Sequence, residues 1–381
     1  MAISEELVSI LATHNVYIQR LAAQYGNEAA TYIEKIREDI AARVEKEVGK
    51  NLTDKRKDSL YKDISEIVNF NLNQYVDDLK KNHVDLGFYE ASYQAKTLKD
   101  VFPAIVETAT VTKSAIDKSA KNTLIKLGEA SYTSYTQLLS NFTTSNAQQI
   151  DNIIRNGFVG GVTNRDIATQ VMKEVDSQLI KTKRNALTVA RNGTNHYANQ
   201  ARKVYFAEDD AVIGTRRIST LDSATSQYCR SIDQTVVLKD DPDFNKAFAP
   251  FHAGCRTANT PEPAKRYLDD ATGKRPENFR NAETGLLDPK QTSSKKIYYE
   301  AMKSLDAKSQ DAILGVTLGK AFRKGLKTGE LTPQSFASMT IDKTLNKGLT
   351  LAEMAKKDNA LGRILIEQNK GKSNYLGRQL G

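Results

Sequence analysis

With 381 residues, 39% of them hydrophobic and 27% charged, the chain has room for two or three domains with separate cores and an ordinary soluble composition. No apolar run approaches the roughly 20 residues of a membrane span. The acidic start MAISEELVSILATHN lacks the basic and apolar blocks of a signal peptide, so a cytosolic chain with no membrane role is expected. Two cysteines cannot make a disulfide framework, and reducing conditions argue against even a single Cys229–Cys255 bridge. The net charge is +9, and the stretch from Lys295 onward holds 16 Lys/Arg against 8 Asp/Glu. A basic last quarter suits an acidic partner such as nucleic acid; a solvated, lysine-rich helical surface is the plainer reading.

Residues 3–48 carry Leu7, Leu11, Ile18, Leu21, Ile33, Ile36, Ile40 and Val44 at helical spacing. Gly26-Asn27 predicts a break into two helices, and Gly49 closes the run. His14 has no ligand partner nearby and reads as structural. Thr53 or Asp54 caps a second helix with the stripe Leu60, Ile64, Val68, Leu72, Val76 and Leu79. Asn82-His83, ahead of Asp85 and Gly87, predicts its end, with His83 structural or solvent-facing. From Leu86 to Leu139 the pattern weakens, and Pro103 interrupts it. Residues 1–145 therefore read as a helical arm without a catalytic pattern. Its apolar stripes exceed what a free arm leaves in water, which calls for a protein partner.

Asn156-Gly157-Phe158-Val159-Gly160-Gly161 is a glycine-rich turn without the Gly-Lys-Ser/Thr ending of a P-loop, so a helix–turn–helix is expected. Thr163 is placed to cap a helix through Ile167, Val171 and Val175. A longer helix comes next and runs to Val204. Its cluster Arg191, Asn192, Thr194, Asn195 and His196 either meets solvent or faces the cysteines downstream. Residues 211–221 and 234–238 have strand character. The fold class is mainly α with a small β-rich unit.

Both cysteines fall between Ile218 and Pro261. His252-x-x-Cys255 and Ser226-x-x-Cys229 resemble a Cys-x-x-Cys…His-x-x-Cys zinc pattern that is one ligand short. Thiolate and imidazole are donors that zinc prefers. Cys229, His252 and Cys255 are thus candidate ligands, with Asp222 or water as the fourth. The alternative is a metal-free polar core in which Asp222 pairs with Arg256 and the cysteines pack as small apolar groups. A catalytic zinc would need a base, for which Asp222, Asp233 and Glu208 cannot be told apart. A Cys–His nucleophile pair would rest on spacing alone.

Pro261, Pro263, Pro276 and Pro289, with Gly273, Gly285 and many charges, predict an exposed, partly extended linker over 263–294. Residues 295–381 read as a basic helical region, helical from Lys295 to Lys327 and loose from Lys372 to Gly381. Lys320, Arg323, Lys324 and Lys327 lie within about two helical turns and are candidate phosphate contacts to duplex DNA.

Three segments together carry a resemblance: Ala190-Arg191…Asn195, then Asp222-x-x-Thr225-Ser226-x-x-Cys229-x-x-x-Asp233, then Pro250-Phe251-His252-x-x-Cys255-Arg256. They resemble the head-morphogenesis domain of phage minor head proteins, the Mu-like family, over about 150–262. The stretch from Tyr298-Tyr299 to Gly329-Glu330-Leu331-Thr332 is similar to the segment C-terminal to that domain in some members. The chain departs from the pattern at Ala224, where arginine is common, at Gln234, where glycine is common, and at Ser226, where some members have a further cysteine. The resemblance implies a non-enzymatic virion protein. Such a protein associates with the portal and other head proteins during capsid assembly in the host cytoplasm, enters the phage head, and contacts packaged double-stranded DNA. It divides the chain into the arm (1–145), a head-morphogenesis-like domain (146–262), the linker (263–294) and the basic region (295–381).

Overall fold

The computed structural model describes residues 5–128, 130–159, 164–267 and 273–370. Apolar residues at every third or fourth position let a helix bury one face against its neighbours, and four long helices do so here. α1 (Glu5–Glu45) buries Leu7, Leu11, Ile18, Ile33, Ile36, Ile40 and Val44. α2 (Asp54–Val101) buries Leu60, Ile64, Val68, Leu72, Val76 and Leu79. A short α3 (Lys113–Asn122) and a hairpin of β1 (Ile125–Lys126) and β2 (Tyr132–Thr133) lead to α4 (Tyr135–Gly157). The 44-residue α5 (Arg165–Glu208) then packs on α1, α2, α3 and α4. One apolar core runs from Leu7 to Phe248, so the helical arm and the central segment share it. The stripes of 1–145 are spent inside the chain. Among the large apolar residues they leave in solvent are Val16 and Tyr17 of α1 and Phe70, Phe88 and Tyr89 of α2.

Two expected helix breaks do not occur, for one physical reason. α1 is continuous through Gly26, where a Cβ would stand 2.6 Å from Leu187 Cα. That glycine lets α1 and α5 cross closely. α2 is continuous through Asn82-His83 and stops before Pro103. His83 is wholly buried, bonded to the Tyr135 hydroxyl (2.7 Å) and Thr194 Oγ1 (3.1 Å), and stacked on Tyr197. Gly193 of α5 makes the room, since a Cβ there would lie 2.3 Å from His83 Cε1. Burial pushes the His83 imidazole down to about 3, so it is neutral and structural. In both places a residue that commonly ends helices serves a helix–helix contact.

α1, α2 and α5 also share a buried charge cluster. Glu90 of α2 accepts hydrogen bonds from Arg202 Nε of α5, His14 Nε2 of α1 and Gln94 Nε2, each at 2.7 Å. His14, read from the sequence as structural, is held by Glu90 and stacks on Tyr93. Arg202 Nη1 continues to Asn199 Oδ1 (3.1 Å), and Asn199 Nδ2 to Asn195 Oδ1 (2.8 Å).

After α5 the chain forms β3 (Val212–Ile218), β4 (Leu221–Asp222), α6 (Gln227–Ile232), β5 (Val236–Leu238) and β6 (Ala258–Pro263). β3 lies between β5 and β6, antiparallel to both; Thr215 faces Val237 on one side and Pro261 on the other. The expected linker is mostly structured. Its residues form the hairpin β7 (Lys274–Arg280) and β8 (Leu287–Ser293), with β7 parallel to β4. Arg275, Glu277 and Phe279 alternate inward. The alternation is hard to read because two of the three inward residues are charged. Arg275 pairs with Asp233 (3.1 Å) and Glu277 with Lys290 (2.9 Å).

The basic region folds as α7 (Tyr298–Lys303), α8 (Ala307–Leu314), α9 (Val316–Thr328), α10 (Pro333–Met339), the pair β9 (Ile341–Asp342) and β10 (Lys347–Gly348), α11 (Leu351–Ala355) and α12 (Ala360–Asn369). The helix expected across 295–327 is thus divided in three, with Gly315 at φ +79° between α8 and α9. A second core gathers Tyr298, Tyr299, Met302, Phe322, Phe336, Leu361 and Leu365, and takes in Leu221 of β4 and Phe279 of β7. Thr163, the end of the glycine turn and Lys372–Gly381 lie outside the described residues. The architecture is mainly helical with small sheets. No described helix is long and apolar enough to cross a membrane.

The charge cluster yields a pH-dependent stability. Burial alone would raise the Glu90 carboxyl, but Arg202 and His14 outweigh it and hold the group down at about 2. A depressed folded-state value stabilises the fold above the unfolded value of about 4.5, and the gain is lost as pH falls towards 2. Glu90→Gln leaves Arg202 buried without its charge partner, a change that costs about 3–5 kcal/mol near neutral pH. Urea unfolding across a pH series should show that cost shrinking between pH 4.5 and 2.

Candidate metal centre

α6 is only six residues long, and its start is set by Ser226, whose Oγ accepts from Cys229 N at 3.3 Å. That cap brings Cys229 into the first turn of the helix. On the other side, Cys255 N donates to His252 O (3.1 Å), and Gly254 at φ +67° closes the turn. This tight turn projects His252 and Cys255 the same way. Around the point where they meet, Cys229 Sγ stands 3.8 Å from Cys255 Sγ and 3.3 Å from His252 Nε2. The three donor atoms all lie within 4.8 Å of one another.

The turn is fixed from the long helices. Asn195 Nδ2 donates to Cys255 O (2.7 Å), Gly254 N to Asn192 Oδ1 (2.8 Å), and Asn15 Nδ2 of α1 to Arg256 O (2.9 Å). The polar cluster of α5 thus does face the cysteines, with Asn192 and Asn195 as the groups that touch the turn. Arg191 is exposed. Asn15 and Asn199 were not legible as participants. The signal available was asparagine at positions 192, 195 and 199, a helical spacing on an otherwise apolar face.

The donor set fits a metal ion. Tetrahedral zinc with bonds of about 2.3 Å to sulfur and 2.0–2.1 Å to nitrogen has edges of about 3.8 Å (S–S) and 3.5 Å (S–N). The Cys229–Cys255 separation of 3.8 Å and the Cys229–His252 separation of 3.3 Å are close to such edges, and the three donor atoms together span no more than 4.8 Å. His252 Nδ1 donates to Ala253 O at 2.8 Å, which leaves the Nε2 lone pair turned to the thiols. A backbone acceptor on the far nitrogen is how ligating histidines are ordinarily oriented. Burial pushes the Cys255 thiol up, but its contacts with Cys229 and His252 reverse this and hold it well below the usual thiol range. Cys229, sharing that hydrogen bond and buried, moves well above it. Burial lowers His252, and its contact with Cys255 outweighs that and raises it. Cys229, His252 and Cys255 therefore form a group that can hold a metal ion.

Asp222 does not join them, which corrects its assignment as the fourth ligand. Arg256 grips both of its oxygens, with Nη2 on Oδ1 at 2.7 Å and Nη1 on Oδ2. Thr225 Oγ1 and Ala224 N also donate to Oδ1, each at 3.1 Å. Ser226 lies beside the three donors, its Oγ 2.9 Å from His252 Nε2. Of the bases considered, Asp233 is consumed by Arg275 and by Ser219 N (2.8 Å). Glu208 lies exposed at the end of α5.

The back of α6 docks on the C-terminal region. Gln227 Nε2 donates to Thr340 O and Leu349 O, the Tyr228 hydroxyl to Asn346 Oδ1, and Arg230 Nη1 to Ile313 O; Ser231 meets Thr340 Oγ1 at 2.7 Å. Two cavities flank the centre. One of about 460 Å³ lies between α1 and the β4–β7–β8 sheet. The other, about 740 Å³, separates α6 and β5 from α10 and the β9–β10 turn. Cys229, His252 and Cys255 line neither.

The expected DNA face is reduced. Lys320, Arg323, Lys324 and Lys327 do share one side of α9, opposite the buried Leu318, Ala321 and Phe322. Arg323, however, is bound to Asp311 (2.8 Å) and Lys324 to Glu367 (2.6 Å), leaving Lys320 and Lys327 as the exposed cations of the four. Compared with models of protein families, with curated proteins and with solved structures, the chain gave no match.

Proposed function

We propose that this chain is a minor head protein of a tailed phage, a structural component that works beside the portal during head assembly and DNA packaging or delivery. One observation carries the reading. The residues behind the resemblance to the Mu-like head-morphogenesis family lie far apart in sequence, yet Asn195, Ser226, Cys229, His252 and Cys255 meet in one bonded group, and Asp222, Thr225 and Arg256 in a second that adjoins it through the Cys255–Arg256 peptide. A shared constellation of interior partners is what a common fold would preserve. The cysteines are buried and line neither flanking cavity, so they offer no pocket to an organic substrate.

In this reading the centre binds zinc as a structural ion. Cys229, His252 and Cys255 supply three ligands, and Ser226 or a water beside it completes the set. The ion would tie α6 to the 252–255 turn. The portal would meet the aromatic patch left exposed on α1 and α2, where Tyr17 and Tyr89 stand edge to face at 6.2 Å. Duplex DNA is the acidic partner that the C-terminal charge suits, with Lys320 and Lys327 making sequence-independent phosphate contacts.

Co-expression with the portal protein of the same genome should give a complex that co-elutes on size exclusion, and Tyr17→Ala with Tyr89→Ala should weaken it. Consistent elution as two separate species would overturn the portal assignment. Zinc-loaded, gel-filtered protein should carry about one equivalent of metal. Cys255→Ser should lose it, and Ser226→Cys should hold it more tightly against a competing chelator. Elemental analysis without zinc in the loaded wild type would return the cysteines to a metal-free core. Binding to random-sequence duplex across a salt series should give a log–log slope of about −2, the value for two phosphate contacts. A protein ending at Ser294 with equal affinity would remove DNA from the C-terminal region.

A further inference from the structure

We infer that Cys229 and Cys255 form a thiol redox pair that small peroxides convert to an internal disulfide. The two sulfurs are in van der Waals contact at 3.8 Å, so closure to a bond of about 2.05 Å needs an approach of less than 2 Å between them. Cys229 belongs to the rigid, capped α6, whereas Cys255 comes directly after the turn residues Ala253 and Gly254, both exposed. The exposed backbone of that turn brings solvent closest to the pair on the Cys255 side. Both thiols are buried, at 2% and 3% exposure, so a bulky oxidant is excluded and a peroxide is the class that fits.

The reaction balances without a further reagent. A sulfur of the pair attacks one peroxide oxygen and the O–O bond breaks. The departing hydroxide takes a proton and leaves as water, and the protein holds a sulfenic acid. The second sulfur attacks that sulfur, the S–O bond breaks, and the hydroxyl leaves as a second water with the remaining thiol proton. Two thiols are oxidised by two electrons and one peroxide is reduced. His252, with Nε2 3.3 Å from Cys229 Sγ, is placed beside the proton transfers. The short path between the sulfurs makes disulfide closure faster than a second oxygen insertion.

This site uses the same side chains as the zinc reading but does not depend on it. Full-length, reduced, chelator-treated protein is titrated with hydrogen peroxide and monitored by intact mass and by thiol count after unfolding. The expected product has lost two hydrogen masses and both thiols together, remains monomeric on non-reducing gels, and regains both thiols with a dithiol reductant. Wild-type protein that gains oxygen masses, forms covalent dimers, or keeps its thiols overturns the proposal, with no variant required. Cys229→Ser should divert the remaining thiol to oxygen-mass products. Repeating the titration with zinc separates the two readings. Disulfide formation at an equal rate with and without zinc leaves the redox pair standing and removes the metal, whereas slower closure in zinc supports both.

Discussion

The structure depends on a file of buried polar groups along α5. It begins at Glu90, where α1, α2 and α5 each contribute a side chain, and passes through Arg202 and Asn199 to Asn195, which holds the Cys255 carbonyl. Burying a charge is costly unless every lone pair and proton finds a partner. The arginine and the asparagines are therefore useful only in one register of the three helices. Apolar stripes alone would tolerate sliding or rotation of α1 and α2 against α5. The polar file does not, and the turn bearing His252 and Cys255 inherits that fixed register.

How much of this was legible depends on where the information lies. The apolar spacing marked α1, α2 and α5, and β-branched runs marked β3 and β5. Ser226, Cys229, His252 and Cys255 stood out because thiol and imidazole spacing has few structural uses. Failures came where a residue acts through a distant partner. Gly26 reads as a helix break until Leu187 is seen against it, and His83 reads as a stop until Gly193 makes room for it. Arg275 and Glu277 read as linker because a charged residue signals solvent unless its counter-ion is known. Asp222 was weighed both as a ligand and as the partner of Arg256, and nothing in its own neighbourhood of sequence could decide between them. Each of these is a long-range pairing, and a single chain read locally does not contain it.

Charge that is available to a partner differs from charge already spent on internal pairs. The last quarter of the chain is strongly basic by count. Yet Arg323 and Lys324 face Asp311 and Glu367 across helix contacts, and Lys347 faces Glu353. Pairs near the surface of this kind add little stability, but they lower the local field that a polyanion would meet. Net charge describes the attraction at a distance; the pairing describes what is left at contact.

α6 has one further consequence. One side of this short helix carries Cys229 towards the 252–255 turn, and the other side carries Gln227, Tyr228, Arg230 and Ser231 into the C-terminal region. It works as a rivet through two plates. A pull on the C-terminal helices travels through α6 to the sulfur centre and from there, by Asn195, into the longest helix that touches it. Whatever fastens the cysteines, ion or covalent bond, sets how much tension the joint bears before the plates part.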